Sequence, residues 1–260
     1  MVQRFKQFIV RTPLHRMAIE MKAYWISRNW VRENDKILNN KTVYCISPYK
    51  TGTTFLASSF DDAVSMHEPL HFTSIRKLNE NFGKYFVRRL NSLDLKLECS
   101  GFLSAYVEEL AKDPVARELT YICVLRKPSA WATSVVNHHQ VVKEGRQHFF
   151  WGNELFWKEH VGVDLANFFH FNDTEKQQLV ENLISYYMDF TEKTRALRNV
   201  HYVWLQDLKD FLPEVGGMIG EVPKLEKSRQ NKARKHAFVY ENEEVDLAYE
   251  QLINDLRAAV

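Results

Sequence analysis

Lys50, Gly52, Thr53 and Thr54 crowd into one short turn, and residues of these types at this spacing are suited to holding an anion. The run Thr42-Val43-Tyr44-Cys45-Ile46-Ser47 reads as a buried strand, and the residues from Thr53 onward read as the start of a helix. The first N–H groups of a helix lack an intrahelical acceptor and point outward, which makes such a turn a ready anion site. Lys50 adds a full positive charge, and Thr53 and Thr54 add hydroxyl donors. A second constellation lies further along. Thr120–Leu125 is short, apolar and β-branched, the pattern of a buried strand, and it runs into Arg126-Lys127-Pro128. Pro128 suits the first position of a helix expected over 128–143, which contains Ser134. Arg126 therefore stands at the carboxyl end of a strand expected to be parallel, where α/β sheets bind ligands. Guanidinium grips phosphate through two parallel hydrogen bonds, and a serine hydroxyl adds a neutral donor. Taken singly, an arginine capping a sheet edge and a serine packed within a helix is the plainer reading of this second constellation.

The turn is not the usual nucleoside-triphosphate loop, in which lysine follows the second glycine of Gly-x-x-x-x-Gly-Lys-Ser/Thr. Here Lys50 comes two residues before the only glycine. Pro48-Tyr49-Lys50-Thr51-Gly52-Thr53-Thr54 instead resembles the 5′-phosphosulfate loop of sulfotransferases that use 3′-phosphoadenosine 5′-phosphosulfate (PAPS). The strand ending at Arg126, with Ser134 eight residues on, resembles the element that holds the donor's 3′-phosphate in the same enzymes. The resemblance covers about residues 42 to 236. It implies a P-loop-like α/β fold, PAPS as co-substrate, adenosine 3′,5′-bisphosphate as product and no metal. By the same resemblance, Lys50, Thr51, Gly52, Thr53, Thr54, Phe55, Arg126 and Ser134 contact the donor. Phe55 occupies the place of a tryptophan near the adenine; a core phenylalanine is the other reading. The basic run Lys227, Arg229, Lys232, Arg234, Lys235 resembles in position the late basic loop that closes over the 3′-phosphate, with Arg229 and Lys232 as its candidate contacts. Its familiar glycine-rich form is absent, and a solvated charged loop is the alternative. Leu205-Gln206-Asp207-Leu208 resembles the Glu-Asp-Leu that many sulfotransferases carry there, with Gln206 in place of the glutamate.

Sulfuryl transfer asks for a base on the acceptor and for positive charge on the leaving phosphate, so positioning and electrostatics supply most of the rate. Lys50 is the natural residue for the leaving group. Glu68, in Met66-His67-Glu68-Pro69-Leu70-His71, matches the place of the glutamate base in carbohydrate and tyrosine-directed sulfotransferases. His67 and His71 rival it on chemical grounds, since histidine titrates near neutral pH. A turn residue before Pro69 is the plain alternative for Glu68. No histidine occurs between His71 and His138, which disfavours the histidine base of the cytosolic small-molecule enzymes. Leu97-Glu98-Cys99-Ser100-Gly101-Phe102 resembles the Glu-Lys-Ser stretch of heparan-type enzymes, but Cys99 replaces the lysine, so their acceptor contacts do not carry over. Glu98 and Ser100 remain candidates to face the acceptor, with Ser100 as a helix cap the alternative.

The elements that must position these residues alternate. Strands are expected at 42–47, near 94–99, at 120–125 and at 200–204, with a short extended piece near 64–67. Helices are expected at 53–62, about 74–91, near 102–112, 128–143, about 174–198, near 207–213 and about 243–258. The long helix carries the stripe Leu179, Leu183, Ile184, Tyr187, Phe190 behind the cap signal Asn172-Asp173-Thr174. Alternation of this kind predicts a single α/β domain with a mostly parallel sheet covered on both faces. The 149–171 segment is dense in aromatics and reads as core or as an acceptor pocket.

A net charge of +2 gives no reason to expect nucleic acid as a partner. Three scattered cysteines make neither a disulfide framework nor a zinc cluster and point to a reducing, cytoplasmic setting. A basic amphipathic helix is expected at about 15–33, within an N-terminal extension over 1–40. It is expected to pack on the domain, with peripheral membrane contact as the alternative. The leading expectation is sulfate transfer to a hydroxyl or amine of a carbohydrate, small-molecule or lipid acceptor. A P-loop kinase of atypical loop order would need Mg²⁺ and an acidic ligand at a strand end, and neither the 42–47 nor the 120–125 strand ends in aspartate. A non-catalytic nucleotide-binding relative is the third possibility; joint retention of Lys50, Arg126 and Ser134 speaks against it.

Overall fold

The computed structural model describes residues 41–140, 152–224 and 237–258. Its frame is one five-stranded sheet, all parallel: β1 (Val43–Cys45), β2 (Ser65–His67), β3 (Leu97–Cys99), β4 (Thr120–Leu125) and β5 (Asn199–Trp204), in the order β2-β3-β1-β4-β5. Strands of a parallel sheet are buried on both faces and read as unbroken apolar runs, which is why β1 and β4 stand out in the sequence. Successive side chains alternate between two cores. Tyr44, Ile46, Tyr121, Cys123 and Leu125 face one of them; Val43, Cys45, Ile122 and Val124 face the other.

Helices cover both faces. The first core is closed by α2 (His71–Glu80), α3 (Phe82–Leu93), α5 (Pro128–Gln140), α6 (Asp173–Lys193) and α8 (Glu243–Ala258), and a short α4 (Val107–Lys112) adds Leu110 to it. The second is closed by α1 (Thr53–Ser58) and α7 (Leu208–Ile219). Among the described residues no helix is long and apolar enough to cross a membrane.

Several boundaries differ from those read in the sequence. The helix expected over 74–91 is two helices, broken where Asn81 turns extended (φ −168°, ψ 101°) and its side chain accepts the Lys84 N–H. The helix expected near 102–112 starts as a 3₁₀ turn, Gly101–Tyr106. The long helix ends at Lys193 and passes into a 3₁₀ turn, while its start is capped as expected: Asn172 and Glu175 satisfy each other's backbone N–H groups. The helix expected to end near Pro213 continues to Ile219. Pro213 forgoes one backbone bond, but Val215 and Ile219 still bury in the second core, and that burial outweighs the loss. In the aromatic segment, Asn153–Val161 forms a π-helix and Leu165–His170 a 3₁₀ turn, and Phe156, Trp157 and Phe168 are core residues. The helix expected at 15–33 lies outside the described residues.

Candidate functional site

The connections from β1 and β4 leave the sheet in opposite directions. β1 leads through α1 to β2 on one side, and β4 leads towards β5 on the other. Between two such strands a crevice opens at their carboxyl ends, the usual ligand position in open α/β sheets. Lys50 follows β1 and Arg126 follows β4, so the two cations meet at this point. Arg126 Nη1 donates to the Lys50 carbonyl at 3.1 Å, and the Arg126 N–H donates to the Tyr187 hydroxyl at 3.0 Å. Neither side-chain cation has a carboxylate partner among the described residues. Burial lowers the proton affinity of both, and the Arg126 charge lowers that of Lys50 further. Two half-buried cations side by side without a counter-charge are unfavourable in the ligand-free protein and become favourable once an anion lies between them.

The loop is shaped for this. Lys50 (φ 72°) and Gly52 (φ 104°) both take left-handed conformations, and backbone of this kind turns successive N–H groups towards one concavity. The φ of 104° favours glycine at position 52, and a Cβ there would also press on the end of the Leu205 side chain, 2.5 Å away at Cδ1. The Leu205-Gln206-Asp207-Leu208 segment thus supports the loop through its leucines. The Thr51 hydroxyl is buried and donates to the Pro48 carbonyl at 2.8 Å, so this side chain closes the turn and leaves only its N–H for a ligand. Ser47 accepts the Val124 N–H, and Trp131 Nε1 donates to the Tyr49 carbonyl at 2.7 Å; both tie the loop to β4 and α5. Phe55 is half-buried against the second core.

Ser134 is half-buried on α5, and its hydroxyl makes no hydrogen bond among the described residues. One residue before it, Thr133 accepts the Tyr240 N–H at 3.0 Å, and Asn137 accepts the Ala237 N–H at 2.8 Å. On the other side, the Lys224 N–H donates to the Ser59 carbonyl at 2.7 Å. Arg229 and Lys232 lie outside the described residues, in a segment whose two flanks are anchored at α1 and α5.

The second half of the site is the turn after β2. His67 Nε2 lies 3.2 Å from the Thr53 and Thr54 hydroxyls, so the ring forms a wall of the loop. Burial, with the Lys50 charge second, pushes His67 down to about 4, and the ring is neutral at pH 7. Glu68 is left-handed (φ 51°), and its Oε1 accepts the Gly101 N–H at 2.7 Å. Gly101 has no room for a side chain, because a Cβ would stand 2.9 Å from Tyr49 N and 3.2 Å from Glu68 Oε1. Burial pushes Glu68 up to about 8, against the pull of the Gly101 hydrogen bond and with help from Glu98. Of the four non-glycine residues with left-handed backbone among those described, Lys50, Glu68 and Leu70 belong to these two turns. Strain of this kind, about 1–3 kcal/mol per residue, persists where surrounding structure overrides it and collects at functional sites.

Glu98 does not face an acceptor. It is fully buried and paired with Arg89, whose Nη2 lies 2.7 Å from Glu98 Oε1, and Arg89 also donates to the Pro69 carbonyl at 3.2 Å. The Ser100 hydroxyl donates to Glu98 and caps nothing. This buried cluster anchors the turn that carries Glu68. Breaking such a pair by removing one partner costs about 3–5 kcal/mol.

Three participants escape sequence reasoning: Arg89, Gly101 and Tyr49, whose hydroxyl meets His71 Nε2 at 2.5 Å. No family model matches the chain, and no match is found among curated proteins or among solved structures.

Proposed function

We propose that the protein is a sulfotransferase that moves the sulfuryl group of PAPS to a hydroxyl or amine of a carbohydrate, small-molecule or lipid acceptor. The observation that carries this reading is the meeting of Lys50 and Arg126, both half-buried and without a carboxylate partner among the described residues, at the crevice between β1 and β4. The loop N–H groups with Lys50 suit the 5′-phosphosulfate, and Arg126 with Ser134 suits the 3′-phosphate. Lys50 offsets the charge developing on the leaving phosphate. Glu68, across the loop wall formed by His67, takes the acceptor proton.

The adenine nucleotide separates this reading from a kinase. Adenosine 3′,5′-bisphosphate at one hundred times its dissociation constant is expected to stabilise the fold by about 2.7 kcal/mol, read as a rise in melting temperature. ATP with Mg²⁺ is expected to protect less. Better protection by ATP with Mg²⁺ overturns the donor assignment. Labelled PAPS offered to a panel of sugars, phenols and lipids then identifies the acceptor.

Arg126→Ala is expected to weaken the bisphosphate by about 1.5–3 kcal/mol, and Ser134→Ala by about 1 kcal/mol. Among the described residues Arg126 makes one side-chain hydrogen bond and crowds Lys50, so the melting temperature without ligand should hold or rise. Calorimetric affinities equal to wild type in Arg126→Ala would remove this residue from the site.

A further inference from the structure

Glu68 is held by one oxygen only. Oε1 accepts the Gly101 N–H, while Oε2 is buried and has no hydrogen-bond partner among the described residues. A buried carboxylate oxygen without a donor disfavours the ionised form, which is the form a base requires. Every element packed around it offers a charged or titratable group. His67 Nε2, from β2, lies 3.9 Å from the other oxygen, Oε1. Glu98 from β3 and Arg89 from α3 are consumed by each other, and Cys45 from β1 is a buried thiol. His71, at the start of α2, places Nε2 3.6 Å from Oε2.

The plane of the His71 ring is confined by its neighbours. It stacks on Phe72 (centroids 4.4 Å apart) and on Phe102 (5.7 Å). Its Nε2 meets the Tyr49 hydroxyl at 2.5 Å, and Tyr49 is itself boxed by the edge of Phe156 at 4.7 Å. Tyr49 precedes Lys50, so this contact joins the donor loop to the base.

We propose that His71, steadied by Tyr49, is the positioning residue for Glu68: its Nε2–H turns to Oε2 when Glu68 ionises and supplies the hydrogen bond that this oxygen lacks. The inference rests on Glu68 being the base. One tautomer serves throughout, with the proton on Nε2. While Glu68 is protonated, that N–H points to the Tyr49 oxygen; the appearance of a carboxylate draws it across, and the 3.6 Å gap closes to hydrogen-bond length. The phenyl and tyrosyl faces around the ring keep it in the plane where both acceptors are in reach.

The test is a ¹³C NMR titration of the Glu68 carboxyl in the full chain, assigned by its loss in Glu68→Gln. In wild type the midpoint is expected near 8. His71→Phe removes the donor and should raise the proton affinity of Glu68 by about tenfold or more, one unit of midpoint. His71→Gln keeps an N–H within reach and should stay within about half a unit of wild type. Tyr49→Phe removes the competing acceptor and should lower the midpoint, opposite to His71→Phe; damage to the fold would move both the same way. An unchanged midpoint in His71→Phe, or an equal rise in His71→Gln, overturns the proposal. Turnover of Glu68→Gln separates the two claims. If that variant keeps full turnover, the base assignment fails whatever His71 does. If it loses turnover while His71→Phe leaves the midpoint in place, the His71 inference alone fails.

Discussion

Lys50→Ala is expected to lower single-turnover transfer from PAPS by roughly 100-fold or more, the scale of losing one aligned electrostatic contact in a transition state. The donor's phosphosulfate linkage gains negative charge on its bridging oxygen as it breaks, so an ammonium at the loop interacts more strongly late in the reaction than at the start. Interactions that strengthen towards the transition state raise turnover more than they tighten binding. Lys50 should also contact the donor before reaction, so the bisphosphate should weaken several-fold, less than turnover falls. The ligand-free protein should lose no stability: Lys50 makes no ion pair among the described residues, and Arg126 is a like charge beside it. Calorimetry, thermal melting and a quenched-flow assay read the three quantities. Wild-type turnover in Lys50→Ala would take the leaving group away from this loop.

Glu68→Gln is expected to cost turnover about 100-fold or more while donor affinity stays nearly intact. The amide keeps size and reach and loses basicity. Two pH signatures accompany it. In wild type, kcat/KM should rise with pH through about 8 as the free enzyme's carboxyl ionises, and the variant should lack that limb. Stability moves the other way. Burial raises Glu68 from 4.5 to about 8, so the folded state holds a proton that the unfolded chain releases. The stabilisation is complete below about 4.5, is lost as pH rises through about 8, and is on the order of several kcal/mol. Glu68→Gln should therefore melt higher than wild type at pH 9, with little difference at pH 5. If Glu68→Gln keeps its turnover while His67→Ala or His71→Ala abolishes it, a histidine is the base.

The parallel sheet, and the strand ends that carry Lys50 and Arg126, could be read in advance because they lie in local patterns; the contact between the two residues could not. An apolar run, a turn and a helix start occur within fifteen residues around Lys50, and again around Arg126. The supporting shell has no such signature. Gly101 reaches Glu68 across 33 residues and Tyr49 reaches His71 across 22, contacts fixed by how α2 and β3 meet the loop. Glu98 looked available because a carboxylate beside Ser100 and Gly101 gives no hint of Arg89, which comes from the next helix up the chain. The break at Asn81 rests on one extended residue inside the helix expected over 74–91, and the helix expected near 207–213 runs on to Ile219 because burial of Val215 and Ile219 outweighs one lost backbone bond.

Nothing local holds Lys50 beside Arg126; distant strands do. Ser47 binds Val124 across 77 residues and Thr42 binds Leu95 across 53, while β1 itself contributes only three residues to the sheet. Closing such long loops costs chain entropy before the contacts return it, and parallel pairing of high contact order is slow. The two-cation crevice therefore depends on the pairing of the central strands and is expected to form only with them. A growing polypeptide that has not yet delivered β4 carries the whole Lys50 loop and still cannot assemble the two-cation crevice.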